Sequence, residues 1–105
     1  MINAPQVVQL MSGVTTNTNG AAVRMHFKAC VYQATVVGTG AVAVNVTIQG
    51  SANGVNWSAL GSAIALTATT TDTDKLVSVE YWPFIRAVTD SISGTGATVT
   101  VYAAG

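Results

Sequence analysis

Charged side chains are scarce in this sequence. Four of its 105 residues are Lys or Arg and four are Asp or Glu, so charged residues make up 8% of the chain. An ordinary soluble domain has about 25%. The four basic residues, Arg24, Lys28, Lys75 and Arg86, are scattered, whereas phosphate contacts need clustered Lys and Arg. We therefore expect no nucleic-acid partner, and a surface that is either solvated by Thr, Ser and Asn or covered by protein partners.

Cysteine pairs and long apolar runs are also missing, and we expect no leader segment. The single cysteine, Cys30, cannot form a disulfide within the chain. The start, Met1-Ile-Asn-Ala-Pro, has neither the basic nor the apolar segment of a secretory signal peptide. No stretch approaches the ~20 unbroken apolar residues of a membrane helix, so no membrane partner is expected. These features predict a protein made and used in a reducing cytoplasm, or assembled there into something larger.

Half of the residues are hydrophobic, and they alternate with Thr, Ser, Asn and Gln in a pattern typical of β-strands. Residues 23–37 predict one long strand, and residues 41–49 show the cleanest alternation. One face of the second strand is apolar and the other mostly polar, as in an antiparallel sheet with one solvated face. The apolar positions are Val42, Val44, Val46 and Ile48; the other face carries Ala43, Asn45, Thr47 and Gln49.

Glycine-rich turns separate the predicted strands. Gly38-Thr39-Gly40 and Gly94-Thr95-Gly96 each predict a hairpin, and Asn53-Gly54 predicts another reversal because it tolerates positive φ. Turns about every 8–12 residues predict an all-β fold, an antiparallel β-sandwich or jelly-roll-like barrel of about eight short strands. The remaining strands are expected at 57–60, 64–66, 76–81, 84–88 and 97–102, with a polar loop at 69–74.

The length fits a single domain, residues 1–105. Within it, residues 1–20 predict an N-terminal arm and residues 21–105 the sandwich core. Two interpretations of the arm remain open, because such a segment either packs on a neighbouring subunit or forms the first edge strand of its own domain. An internal repeat, Gly-Thr-Gly-Ala at 38–41 and 94–97, marks either equivalent corners of two packed sheets or two independent turns.

No residue pattern predicts catalysis or metal binding. His26 and Cys30 lie four residues apart, about 13 Å along a strand, whereas a nucleophile and its base need about 3 Å. One Cys and one His also exclude a zinc site. Asp72 and Asp74 could contribute to calcium coordination, but few other acids are available to complete a set of about six to eight oxygens. We expect a solvated polar loop there, no catalytic residue and no cofactor.

Aromatic and apolar side chains remain as candidate contacts. Trp57 follows the Asn-Gly turn and is expected to cap the core. The run Tyr81-Trp82-Pro83-Phe84 is the densest aromatic cluster, and neighbouring strand residues point to opposite faces, so one pair points outward unless both faces are covered. The predicted interface residues come from the arm and from this cluster: Val7, Val8, Leu10, Met11, Tyr81 and Trp82.

Two segments resemble a known family. The run from Val44 to Leu60, with Gly50-Ser51-Ala52-Asn53-Gly54 before Trp57, resembles a motif of small β-sandwich structural proteins of tailed bacteriophages. Residues 83–88 and 92–101 look like the partner segment in those proteins. A similar turn also occurs in discoidin-like carbohydrate-binding domains. This chain has Ala52-Asn53 where the usual motif has Asn-Asp, which removes an acid from the turn.

The resemblance implies a virion component. The role it implies first is a capsid decoration or cement protein, a small symmetric oligomer that clamps neighbouring major capsid protein subunits. The expected partners are thus copies of the chain itself and the major capsid protein or other virion proteins, with assembly in the host cytoplasm and final location in the virion. The alternatives are a neck, tail or fibre component, or a discoidin-like carbohydrate-binding module.

Overall fold

The computed structural model describes residues 7–24, 30–78, 80 and 82–105. These residues form strands and connecting loops, and no helix among them is long and apolar enough to cross a membrane. The strands of the described residues are β1 (Val7–Val14), β2 (Val23–Arg24), β3 (Cys30–Val37), β4 (Gly40–Ser51), β5 (Ser58–Ala59), β6 (Ile64–Ala68), β7 (Thr71–Ser78), β8 (Phe84–Thr95) and β9 (Thr98–Ala104).

Two antiparallel sheets pack against each other. Sheet A has the strand order β1-β9-β3-β7, and sheet B has the order β2-β8-β4-β5, with β6 also paired to β4. The shortest principal extent is 20 Å, which suits two layers about 10 Å apart with side chains on both outer faces. The predicted all-β sandwich is confirmed.

The core is built from the inward-facing positions of both sheets. On β4 the apolar face predicted from the alternation is buried, whereas Asn45 on the opposite face is exposed. On β3, Tyr32, Ala34 and Val36 point inward and Val31 points outward. The largest fully buried side chains of the cluster are Tyr32, Ile48, Leu66, Ile85, Val36, Val42, Val46, Val99 and Val101.

The two Gly-Thr-Gly-Ala segments are corners between the sheets, so the prediction of two local hairpins was wrong. β3 and β9 belong to sheet A, whereas β4 and β8, on the other side of each corner, belong to sheet B. The corners meet each other: the Thr39 amide donates to the Thr95 carbonyl at 2.8 Å, and the Thr39 hydroxyl donates to the same oxygen at 3.1 Å. Strand pairing β3–β9 and β4–β8 continues on either side.

A close backbone approach explains the glycine at the second corner. Gly94 has φ +107°, and a Cβ there would lie 2.6 Å from the Cα of Val42 and 2.8 Å from the carbonyl oxygen of Ala41. Residues with a side chain rarely adopt such a φ, and the neighbouring atoms are backbone atoms that cannot rotate away. The repeated sequence thus marks a place where two chain segments cross closely.

The described residues of the predicted arm, 7–20, lie within the sandwich. Val7–Val14 forms an edge strand hydrogen-bonded to β9. The chain then crosses to sheet B and runs beside β8, where the Gly20 amide donates to the Ala87 carbonyl at 2.7 Å. The buried hydroxyl of Thr89 accepts from the Thr18 amide at 2.7 Å. Residues 15–20 therefore cover the outer edge of β8, and we call this segment the strap.

Two further expectations required correction. The long strand predicted at 23–37 is divided, because Val23–Arg24 pairs with β8 in sheet B and Cys30–Val37 lies in sheet A. Residues 25–29, including His26, lie outside the described residues. The polar loop predicted at 69–74 is shorter, because β7 begins at Thr71 and pairs with β3. Thr and Asp alternate there on an edge strand, where the polar pattern alone resembled a loop.

Candidate interaction surfaces

The outer face of sheet A carries an exposed row of small apolar side chains. The strand register aligns Val7 of β1, Ala104 of β9, Val31 of β3 and Val77 of β7 side by side. We call these four residues the apolar row. Because side chains alternate along each strand, the next row on the same face contains Gln9, Tyr102, Gln33 and Lys75.

This face concentrates the exposed apolar side chains of the described residues. Six large hydrophobic residues are exposed among the described residues, and five of them lie on the outer face of sheet A: Val7, Val31, Val37, Val77 and Tyr102. Val7 is 63% exposed and Val77 is 59% exposed. The sixth, Val55, is 74% exposed at the tip of the β4–β5 turn. Contiguous exposed apolar patches mark interaction sites more often than scattered residues do.

A shallow depression lies within this face. It has a volume of about 370 Å³ and is lined by Val7, Val31, Gln33, Tyr102 and Ala104. The phenol oxygen of Tyr102 accepts a hydrogen bond from Nε2 of Gln9 at 3.2 Å, which holds the ring over the neighbouring strand. The lining offers apolar contact with a few amide and hydroxyl groups.

The outer face of sheet B is different, because its polar groups bond to one another across β4 and β8. The Asn45 amide donates to the Ser91 hydroxyl at 3.1 Å, and the Thr47 hydroxyl donates to the Asp90 carboxylate. Such cross-strand pairs stabilise a sheet while remaining compatible with water. Sheet B therefore presents a solvated polar face, and sheet A presents the apolar one.

The edges of sheet A are protected in two ways. On β7, Asp72 and Asp74 occupy inward-facing positions at the rim, a placement that discourages another strand from pairing there. Asp72 accepts from the amides of Thr67 at 3.0 Å and Thr73 at 2.9 Å. Its oxygens thus organise the local backbone. On β1, breaks in the register interrupt the ladder at Met11, and such bulges also hinder pairing.

The predicted interface residues of the first strand separate into two groups. Leu10 and Met11 are each only 5% exposed and belong to the core of this domain. Val8 is half-buried against the same cluster. Val7 remains exposed, in the apolar row. Alternation along the strand turns Val8 and Leu10 inward, and the register break between Gln9 and Met11 brings Met11 to the same side.

The predicted aromatic cluster is only partly described, because Tyr81 lies outside the described residues. The indole of Trp82 covers Gly50, where a Cβ would lie 2.6 Å from the ring atom Cδ1. Its Nε1 donates to the Glu80 carboxylate at 3.0 Å. Trp82 also packs against the core cluster, the role that the sequence suggested for Trp57.

Trp57 instead contacts a guanidinium group. The Cζ atom of Arg86 lies 4.3 Å from the centre of the Trp57 ring, and Nε of Arg86 donates to Oε1 of Gln49 at 2.8 Å. A second cation–π contact joins Arg24 to Phe84, with 5.4 Å between Cζ and the ring centre. Both contacts lie near the strand ends of sheet B, and sequence reasoning missed them because they join residues 29 and 60 positions apart in the chain.

The Asn53-Gly54 turn has a structural explanation. The buried Ser51 hydroxyl accepts from the Gly54 amide at 2.8 Å, and Oδ1 of Asn53 accepts from the amides of Val55 and Asn56, each at 2.9 Å. Gly54 has φ +76°. The side-chain oxygen of Asn53 therefore accepts the hydrogen bonds that the Asp of the phage-type turn motif can also accept. The oxygen is occupied by the turn's own backbone.

Across the described residues, no three His, Cys, Asp or Glu side chains come together as a group that could hold a metal ion. Asp72 accepts hydrogen bonds from backbone amides, and Asp90 accepts one from a threonine hydroxyl. The described surface presents an apolar sheet face, a polar sheet face and two arginines stacked on aromatic rings.

Comparison with solved structures supports the fold. The crystal structure of SPBc2 prophage-derived protein YomS superimposes with a TM-score of 0.63 at 15% identity, covering 100% of this chain and 98% of that one. A structure of infectious bursal disease virus, Gx strain, has a TM-score of 0.44 at 12% identity, and the match covers 33% of that chain; similarity of that degree does not establish a shared fold. No protein-family model matches this sequence, and no curated protein is significantly similar to it.

The chain is thus a β-sandwich of the shape found in the prophage-derived protein. The two segments that carry the phage resemblance lie together within it. Residues of β4 from the first segment pair with residues of β8 from the second, between Val44↔Ile92 and Ser51↔Phe84.

Proposed function

We propose that this chain is a non-enzymatic structural protein of a bacteriophage virion, and more specifically a capsid decoration or cement protein that binds and stabilises the shell of major capsid protein. The observation that carries the proposal is the concentration of exposed apolar side chains on the outer face of sheet A. Because only 8% of the residues are charged, such an apolar face favours contact with another protein over exposure to water.

The fold adds support of a different kind. A rigid two-sheet sandwich with a packed core can hold its contact side chains in place without rearrangement, which lowers the entropy cost of binding. The overall shape agrees with that of a prophage-derived protein. The proposed partners are copies of the chain itself and the major capsid protein. The proposed location is the virion, reached by assembly in the host cytoplasm.

Co-sedimentation with capsids tests the proposal. Purified chain is mixed with empty, expanded capsids that lack decoration and is centrifuged through a sucrose gradient. We expect the chain to move with the capsids at a fixed number of copies per capsomer. Tail structures serve as the comparison sample, because binding to tails with none to capsids would contradict the decoration role while retaining a virion role.

Matched variants identify the face that matters. Val77→Lys places a charge in the apolar row, and Val55→Lys places the same charge at an exposed turn outside it. We expect Val77→Lys to lower capsid occupancy at least tenfold and Val55→Lys to leave it unchanged. Absence of co-sedimentation by the unmodified chain with any virion part would contradict the proposed function.

A further inference from the structure

The apolar row runs across all four strands of sheet A, and its pattern suits one particular occupant. We infer that a second copy of this chain covers the outer face of sheet A, in a face-to-face dimer whose two-fold axis runs parallel to the strands and between β9 and β3. The inference deepens the proposed function, on which it rests, by naming what covers the face. The capsid then contacts other surfaces of the dimer, and a charge in the apolar row lowers capsid occupancy by separating the two copies.

The strand order makes the face complementary to itself. Rotation about such an axis reverses the order β1-β9-β3-β7 while keeping each row at its height along the strands. Val7 of one copy then faces Val77 of the other, and Ala104 faces Val31. The apolar row therefore meets an apolar row. Sheets stacked in this way lie about 10 Å apart and keep their strand directions within about 30°.

The next row on this face is also complementary to itself in the dimer; its residues are Gln9, Tyr102, Gln33 and Lys75. Lys75 of one copy faces Gln9 of the other, so the ammonium group meets an amide that can accept a hydrogen bond. The two Lys75 groups lie on opposite margins of the dimer, three strand spacings or about 14 Å apart across the sheet. Lys75 is the charged residue of this face among the described positions, so the arrangement brings no like charges together.

Face-to-face contact is favoured over pairing at a sheet edge. The β7 edge carries Asp72 and Asp74 at its rim, and pairing two such edges would oppose carboxylates. The β1 edge has an interrupted register and offers few consecutive hydrogen-bonding groups. The outer face, in contrast, is continuous across four paired strands.

The size of the face predicts a weak dimer. Four strands at a spacing of about 4.8 Å and six residue steps of about 3.3 Å give a face of roughly 19 by 20 Å. Two such faces bury roughly 800 Å² of flat area, below the ~1,200–2,000 Å² of standard stable interfaces. We therefore expect concentration-dependent association, which the high local concentration on a capsid would reinforce.

Sedimentation equilibrium on the purified chain, without capsids, measures the association. The unmodified chain should pass from its monomer mass of 10.7 kDa to twice that mass as its concentration rises from about 1 to about 500 µM, a range suited to small interfaces. Val77→Lys should raise the dimer dissociation constant at least tenfold, whereas Val55→Lys should leave it unchanged. Thermal melting confirms that both variants fold.

Cross-linking tests the orientation. Val7→Cys and Val77→Cys variants are prepared separately, each with Cys30→Ala, and treated with a short bismaleimide. The mixture should give a covalent dimer of one variant with the other, and each variant alone should give little. A monomer at every concentration, an unchanged dissociation constant in Val77→Lys, or preferential linkage of Val7→Cys to itself would overturn the inference.

The two proposals fail separately. A monomeric chain that still binds capsids would refute the dimer and leave the virion role in place. A dimer of the expected geometry that ignores capsids and tails would refute the virion role and leave the dimer in place.

Discussion

Replacing Gly94 by Ala tests the crossing of the two corners, on which the whole sandwich depends. The backbone at Gly94 has φ +107°, and the new Cβ would lie 2.6 Å from the Cα of Val42 and 3.0 Å from the carbonyl oxygen of Gly40. Neither neighbour is a side-chain tip that can turn aside, so the two corners must separate to admit a methyl group.

The expected loss of stability has two parts and one offset. Strained φ costs about 1–3 kcal/mol, and overpacking costs about 1–3 kcal/mol. The lower entropy of the unfolded alanine chain returns about 0.4–1 kcal/mol. The net loss is about 3 kcal/mol, a large fraction of the ~5–15 kcal/mol that stabilises a typical domain. For a domain of this size the melting temperature should fall by roughly 12 °C or more.

Gly13→Ala is the matched control. Gly13 also has positive φ, +58°, but a Cβ there has no neighbouring atom within 4 Å. Its cost is the conformation alone, about 1 kcal/mol after the entropy offset. Urea unfolding followed by circular dichroism measures both variants. Equal losses for Gly94→Ala and Gly13→Ala would show that the corners are not tightly crossed and would refute the reasoning.

Three further substitutions, the first with a matched control, test other parts of the structure. Val46→Asp should abolish folding, because it buries an unpaired charge in β4. The control, Asn45→Asp on the exposed face, should cost under about 1 kcal/mol. Circular dichroism and thermal melting compare the two variants, and similar losses of stability would contradict the face assignment. Thr89→Val should cost about 1–3 kcal/mol because the Thr18 amide loses its acceptor, with faster amide exchange in the strap; unchanged exchange would contradict that role. Arg86→Met should cost about 1–2 kcal/mol through loss of its bonds to Trp57 and Gln49, and a melting temperature equal to that of the parent would contradict this.

Periodicity predicted the strands well wherever one face is buried. The alternation at residues 41–49 led directly to the buried face of β4, because a period of two has only one explanation when half the positions are apolar. The Asn53-Gly54 reversal was equally accessible, since few dipeptides tolerate positive φ. These signals are local, and the local structure follows from them.

Sheet membership could not be predicted in the same way. A Gly-Thr-Gly segment between two strands is compatible with a hairpin and with a corner, and the choice depends on what the flanking strands pair with elsewhere. Here β3 pairs with β9 and β4 pairs with β8, which are contacts between residues far apart in the chain. The repeat itself was visible, but its meaning depended on tertiary structure.

The apolar row escaped sequence reasoning for a related reason. Val7 was predicted as a contact residue, but Val31 and Val77 lie in segments whose outward face depends on the register across four strands. Leu10 and Met11 appeared equally suitable for contact until the pairing of β1 with β9 turned them inward. Hydrophobicity indicates that a side chain favours burial. Whether that side chain is buried within its own domain or exposed on the surface depends on the fold.

A cryo-EM reconstruction of capsids incubated with this chain tests the central claim most directly. We expect density for a two-sheet sandwich on the outside of the shell, repeated with the capsid symmetry, in which the outer face of sheet A, with Val7 and Val77, is covered by protein. Bare capsids at saturating chain concentration, or bound sandwiches whose sheet A face remains open to solvent, would contradict the account.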